Sequence, residues 1–161
     1  MGEHPIHQQI TDILRQHNCW FEEFTHPPVR TSEEAAALRD GYTLQQGAKA
    51  IIIRAKIPNE GKKFVMLVMP ADQKFDSAKV KQVLSCKDIR FATDEEVEEI
   101  TKGVKPGGVP PFGNLFGLEV ISDKSLYDNE KIVFNAGRTS SIAMRAADYQ
   151  KLVTPKIAEI I

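Results

Sequence analysis

Gly47-Ala48-Lys49-Ala50-Ile51-Ile52-Ile53-Arg54-Ala55, then Asn59-Glu60-Gly61, then Lys63-Phe64-Val65-Met66-Leu67-Val68-Met69 is the stretch on which the fold turns. Each flank is apolar, of strand length and rich in β-branched or bulky residues, while the middle carries turn chemistry. Together they predict a β-hairpin whose first strand begins at a lysine. Lys49 stands where the apolar run starts, so its stem can pack while its ammonium faces a pocket mouth. A lysine at such a place also guards a sheet edge against aggregation, and the local pattern fits either role.

Working outward toward the N-terminus, Ile6, Ile10, Ile13 and Leu14 recur at helical spacing and predict an amphipathic helix over about residues 5–18. Trp20 to Phe24 reads as a short strand, ended by His26-Pro27-Pro28. Thr31 and Glu34 have capping-box spacing, Ala35 to Leu38 continue that helix, and Gly41 stops it. Toward the C-terminus a helix is expected at 76–85, and Thr93-Asp94-Glu95-Glu96 starts a second one ending near Lys102-Gly103. Residues 118–121 and 131–134 read as strands joined by a turn or short helix. A polar bend at 135–141 leads to Ile142-Ala143-Met144, a helix at about 147–153, and a terminal helix opened by Pro155 and running through Ile161. Strands and short helices without steady βαβ alternation predict a mixed α/β (α+β) fold, a curved, largely antiparallel sheet or barrel surrounded by short helices. Residues 1–161 are expected to form one domain.

At 161 residues, 42% hydrophobic and 27% charged, the chain has the composition of a soluble globular protein. Its net charge of −1 excludes a generic nucleic-acid coat, so any such contact needs a local basic face. Arg54, Lys56, Lys62 and Lys63, with Lys74, Lys79, Lys81 and Lys87, are the candidates, although interspersed acids fit an ordinary solvated surface as well. Two cysteines, Cys19 and Cys86, argue against a disulfide framework or a zinc site and for a reducing, cytoplasmic setting. No signal pattern or membrane-spanning apolar run is present in the sequence.

Chemistry concentrates in Lys105-Pro106-Gly107-Gly108-Val109-Pro110-Pro111-Phe112-Gly113-Asn114. Two glycines permit close ligand approach, and two prolines stiffen the second half of the loop. Such a loop can offer amides to a phosphate, a carboxylate or a developing oxyanion. No G-x-S-x-G elbow, P-loop, H-E-x-x-H or paired-CxxC pattern accompanies it. His26 between a strand and two prolines reads as structural, and both cysteines read as packing residues.

Thr25 to Ala36, the Lys49 strand, Gly107-Gly108-Val109-Pro110-Pro111-Phe112-Gly113 and Phe134-Asn135-Ala136-Gly137 come in the order seen in a known family. In these residues the chain resembles the YbaK/ProX-type aminoacyl-tRNA editing family, free-standing deacylases and domains associated with prolyl-tRNA synthetase. The resemblance covers nearly the whole chain. It implies a hydrolase acting on the ester that joins a wrongly attached small amino acid to the terminal adenosine of a tRNA, with tRNA(Pro) among its substrates. Lys49, Gly107, Gly108 and Pro111 are the implied catalytic set, the lysine gripping the terminal nucleotide or its phosphate and the amides of Gly108 and Val109 serving the ester carbonyl. Val29 and Thr31 are implied as one pocket wall, with Phe112, Gly113, Asn135, Ala136, Gly137 and Ser140 around it. The implied partners are the aminoacyl-tRNA 3′ end and prolyl-tRNA synthetase, with no cofactor, metal or membrane. Alanine-clearing members carry a histidine near the 134–137 bend, and this chain has none there, so the amino acid removed stays open among small ones. A non-catalytic module that binds tRNA ends or a synthetase is the alternative within the same fold.

Overall fold

The computed structural model describes residues 5–28, 34, 37, 39 and 41–161. Helix α1 (Ile6–Gln16) turns Ile6, Ile10 and Leu14, all fully buried, onto one face. Strand β1 (Phe21–Thr25) comes next, at the edge of a sheet. The expected hairpin is β2 (Ala48–Ile57) paired antiparallel with β3 (Gly61–Pro70). Asn59 and Gly61 take positive φ in its turn (68° and 80°), which is why an Asn and a Gly sit there. β3 is the more deeply buried strand, with Val65 to Met69 all at 0% exposure.

Next come α2 (Ser77–Leu84), capped by the Asp76 carboxylate on the Ala78 and Lys79 amides, and β4 (Asp88–Phe91). The capping box forms as read: Glu96 N–H donates to Thr93 Oγ1, Thr93 N–H to Glu96 Oε1, and α3 (Asp94–Thr101) begins there. The chain continues through β5 (Glu119–Asp123), β6 (Lys131–Asn135), β7 (Ser140–Arg145), α4 (Ala146–Val153) and β8 (Lys156–Ala158).

The strands form two sheets, one in the order β1-β7-β6 and the other β4-β2-β3-β5-β8. Four of the pairings are antiparallel, while β3 with β5 and β5 with β8 are parallel. The fold is thus mixed α/β with largely antiparallel pairing, but the sheets do not close into a barrel. Among the described residues an isolated bridge, Gly47 to Val133, links them.

Three local expectations change. The segment after Pro155 is a strand, not a terminal helix. Thr154 turns left-handed (φ 49°) to end α4, and Lys156–Ala158 then pair with the open edge of β5. Strand β4 went unread because four residues alternating with charge give little periodicity. Ile142–Met144 belong to the central strand of the smaller sheet, where a mere exit from the polar bend was expected. The expected helix over 31–38 lies outside the described residues, as do Val29 and Thr31.

Candidate functional site

β4 pairs with Ile53–Lys56 of β2, so among the described residues the first half of β2 has no neighbouring strand on that side. A cleft of about 380 Å³ occupies this gap. Residues 47–52 form one wall. Pro106, Gly107 and Val109 enter from the diglycine loop, Val133 and Asn135 from β6, and Phe91 with Ala92 from the far end. Lys49 and Gly107, distant in sequence, therefore share one cavity. The Lys49 ammonium donates to the Gln73 carbonyl, which fixes a flexible side chain in place.

The loop is clamped from behind. Asn135 Nδ2 donates to the Gly107 carbonyl at 2.8 Å, and the Gly137 amide donates to the Gly108 carbonyl at 2.8 Å. Tyr149, fully buried, donates its hydroxyl to the Pro111 carbonyl at 2.6 Å. Gly108 lies so close to the 135–141 bend that an added Cβ would stand 2.7 Å from Gly137 C and from Arg138 N. Gly107 and Gly137 have φ of 90° and 91°, the left-handed region that glycine tolerates.

One expectation about the amides is revised. Gly108 N–H already donates to the Lys105 carbonyl at 3.0 Å, closing a turn, so it is not a bare donor. The amides of Gly107 and Val109 donate to none of the described residues. In a planar trans peptide the C=O and the adjoining N–H point opposite ways. The Gly108 carbonyl points at Gly137, so the Val109 N–H points away from it, on a residue of the cleft wall.

A polar network backs Asn135. Arg39, only 5% exposed, donates from Nη2 to Asn135 Oδ1 at 2.5 Å and from Nε to Ser141 Oγ at 3.0 Å. Buried His26 places Nε2 2.8 Å from the same Ser141 hydroxyl, and its Nδ1 donates to the Pro27 carbonyl at 3.0 Å. Burial lowers the Arg39 pKa to about 10, still far above neutrality, so the group stays charged.

Of the residues picked from sequence, Lys49, Gly107 and Asn135 line the cleft. Gly108 and Gly137 are the pair on which the loop rests. Pro111, Phe112 and Gly113 turn into the packing instead: Phe112 is 1% exposed against the rings of Phe134 and Tyr149, and a Cβ on buried Gly113 would strike Val120 and Met66. Ala136 is buried with its amide on the Ser140 carbonyl, which holds the bend shut. Sequence reasoning missed Arg39 and Phe91. Arg39 stands in Leu38-Arg39-Asp40-Gly41, which reads as a charged helix end, and Phe91 lay in an unrecognised strand. Phe91 is 62% exposed, a large apolar ring at the cleft edge beside Phe75. Among the described residues there is no cluster of metal-ligating side chains, and no helix is long and apolar enough to cross a membrane.

Residues 26–152 match the aminoacyl-tRNA editing domain. The proline–tRNA ligase of Bacillus licheniformis is 35% identical over 102 residues, covering 63% of this chain and 17% of the ligase. That of Aquifex aeolicus is 33% identical over 112 residues, 70% of this chain and 19% of the ligase. The chain thus spans less than a fifth of these relatives. The fold is shared with a solved hypothetical protein (TM-score 0.79, 22% identity, 94% of this chain and 98% of the other). It is shared equally with a protein described as a candidate trans-editing enzyme for prolyl tRNA synthetase (TM-score 0.78, 21% identity, 99% and 98%). A match that runs from His26 through Leu152, across both sheets and the whole cleft wall, places the chain in the aminoacyl-tRNA editing domain family.

Proposed function

We propose that this chain is an aminoacyl-tRNA deacylase that hydrolyses the ester between a mischarged small amino acid and the 3′ end of a tRNA, with tRNA(Pro) the first to test. The observation that carries this reading is the meeting of Lys49 with the Gly107–Val109 loop in one cleft. Its ligase relatives act with proline and its tRNA, which points to prolyl-tRNA synthetase as the partner and the cytoplasm as the place of action.

An aminoacyl ester is already labile, so the protein's task is to hold the carbonyl and stabilise charge. A water oxygen attacks the carbonyl carbon, and the oxyanion forms against the amides of Gly107 and Val109. The ester C–O bond then breaks, the ribose oxygen leaves with a proton, and the amino acid departs as a carboxylate with its proton released to solvent. Among the described residues the charged side chains lining the cleft are Arg39 and Lys49, both cationic types, and no carboxylate or imidazole joins them. Proton transfer falls to water or to the neighbouring ribose hydroxyl of the substrate. Lys49 anchors the terminal nucleotide as a fixed charge. Ala48, Ala50, Ala71 and Ala92 keep the walls shallow, and the volume is at the small end for ligand sites, which suits a small acyl group.

The test is a panel of tRNAs mischarged with alanine, serine, cysteine and threonine, monitored for loss of the amino acid. Wild-type protein should clear at least one far faster than the spontaneous rate, and Lys49→Ala should lose most of that acceleration. Equal rates for the two proteins across the panel would defeat the proposal.

A further inference from the structure

Arg39 is a buried cation whose hydrogen-bond partners among the described residues are neutral. Its Nε and Nη2 donate to a serine hydroxyl and an amide oxygen, and among the described residues no carboxylate lies within ion-pair distance. A charge withdrawn from water without a counter-charge is expensive, so such groups are normally paired or serve a ligand. Its third nitrogen, Nη1, donates to no described residue. Nη1 lies 3.8 Å from the point where a Cβ on Gly47 would stand, and Gly47 and Arg39 both line the cleft. A side chain at position 47 would also meet Ala71 Cβ at 2.9 Å, so the glycine keeps the approach to this nitrogen low.

We propose that the outer edge of the Arg39 guanidinium is an anion subsite at the Gly47 end of the cleft, taking an oxyanionic group of phosphate or carboxylate type. This rests on the reading of the cleft as an aminoacyl-tRNA site, where both kinds occur: the phosphate of the terminal nucleotide and the carboxylate produced by hydrolysis. Two of the three guanidinium nitrogens are fixed by Ser141 and Asn135, so the third is aimed before the ligand arrives and little ordering entropy is lost on binding. The same side chain holds Asn135, which holds the Gly107 carbonyl, so an anion on Arg39 sits one residue away from the loop that grips the ester.

The test is a titration of the full chain with inorganic phosphate, adenosine monophosphate and free alanine, each at constant ionic strength. The readouts are the Arg39 Nε–Hε resonance and the binding isotherm. At least one anion should move that resonance saturably, and Arg39→Gln should weaken its binding at least about tenfold. Arg39→Lys, which keeps charge but loses the fork, should fall between. A response to adenosine monophosphate and phosphate assigns the subsite to the nucleotide, and one to alanine alone assigns it to the product carboxylate. If no probe moves the wild-type resonance, or if Arg39→Gln binds as tightly as wild type, the subsite is refuted. The wild-type titration stands even if the variants fail to fold. Deacylation of mischarged tRNA without any response at Arg39 would remove the subsite and leave the function, and anion binding without deacylation would do the reverse.

Discussion

Replacing Gly108 with alanine puts the clamp behind the loop to a direct test. The new methyl would lie 2.7 Å from Gly137 C, 2.7 Å from Arg138 N and 2.9 Å from Gly137 Cα. These are main-chain atoms, so no side chain can swing aside. Ordinary carbon contacts begin near 3.5 Å, so loop and bend must separate by about 0.8 Å. The Gly137 N–H to Gly108 O and Asn135 Nδ2 to Gly107 O bonds, both 2.8 Å, would stretch past useful length. Overpacking costs about 1–3 kcal/mol and each of the two lost bonds about 0.5–1.5, a total near 2–6 kcal/mol. For a chain of this size that is roughly 5–20 °C in melting temperature. The amides of Gly107 and Val109 move with the loop, and misplacement on the order of 1 Å costs about 100-fold in rate. Single-turnover deacylation at a temperature where the variant remains folded should therefore fall about 10- to 100-fold. Gly61→Ala supplies the control: it is strained by its φ of 80° but lies in the β2–β3 turn, so it should melt earlier and cleave normally. A Gly108→Ala protein with wild-type melting and wild-type turnover would refute the clamp.

Three further perturbations probe the same framework. Tyr149→Phe leaves the buried Pro111 carbonyl without its donor, which should cost about 1–3 kcal/mol, or roughly 3–8 °C in a calorimetric melt; an unchanged melt would show that the bond contributes nothing. Phe91→Ala removes the exposed ring at the cleft edge, and if a base of the tRNA end stacks there, KM should rise about tenfold at constant kcat; a KM that stays put excludes that ring from the nucleotide site. The Arg90 guanidinium, and then the Thr93 amide, depress the Glu96 carboxyl to about 2. Because the folded value lies below the ordinary one of about 4.3, the contribution is complete above that pH and disappears as pH falls toward 2. The stability gap between wild type and Glu96→Gln, measured by urea titration, should shrink across that window, and a gap constant with pH would contradict the assignment.

How far the sequence could be read depends on where the information lies. The hairpin was legible because its apolar runs and its Asn-Glu-Gly turn are local signals. Both the Thr93 box and the β2 lysine also depend on immediate neighbours. The site was legible only in part. Gly107, Lys49 and Asn135 were found through the family's order of motifs, yet the consumption of the Gly108 amide by Lys105 is a matter of torsion angles. Pro111, Phe112 and Gly113 share the loop's sequence with Gly107, but the chain turns inward after Val109 and spends them on the core. Arg39 could not be found from pattern at all. Its neighbours suggest solvent, and its burial arises from Ser141 and Asn135, residues 102 and 96 positions away.

The cationic lining of the cleft and the construction of its loop serve one end. The loop carbonyls of Lys105, Gly107, Gly108 and Pro111 each receive a donor from their own turn or from the scaffold behind. Those four carbonyls are held back while the N–H groups of Gly107 and Val109 stay on offer, and among the described residues the charged side chains lining the cleft, Arg39 and Lys49, are positive. On the proposed function, such a cleft favours negative charge that develops during ester hydrolysis over the neutral ester that enters, and that difference would lower the barrier. A protein arranged this way gains nothing from a strong base, because a carboxylate or neutral imidazole placed in the cavity would itself occupy the donors meant for the transition state.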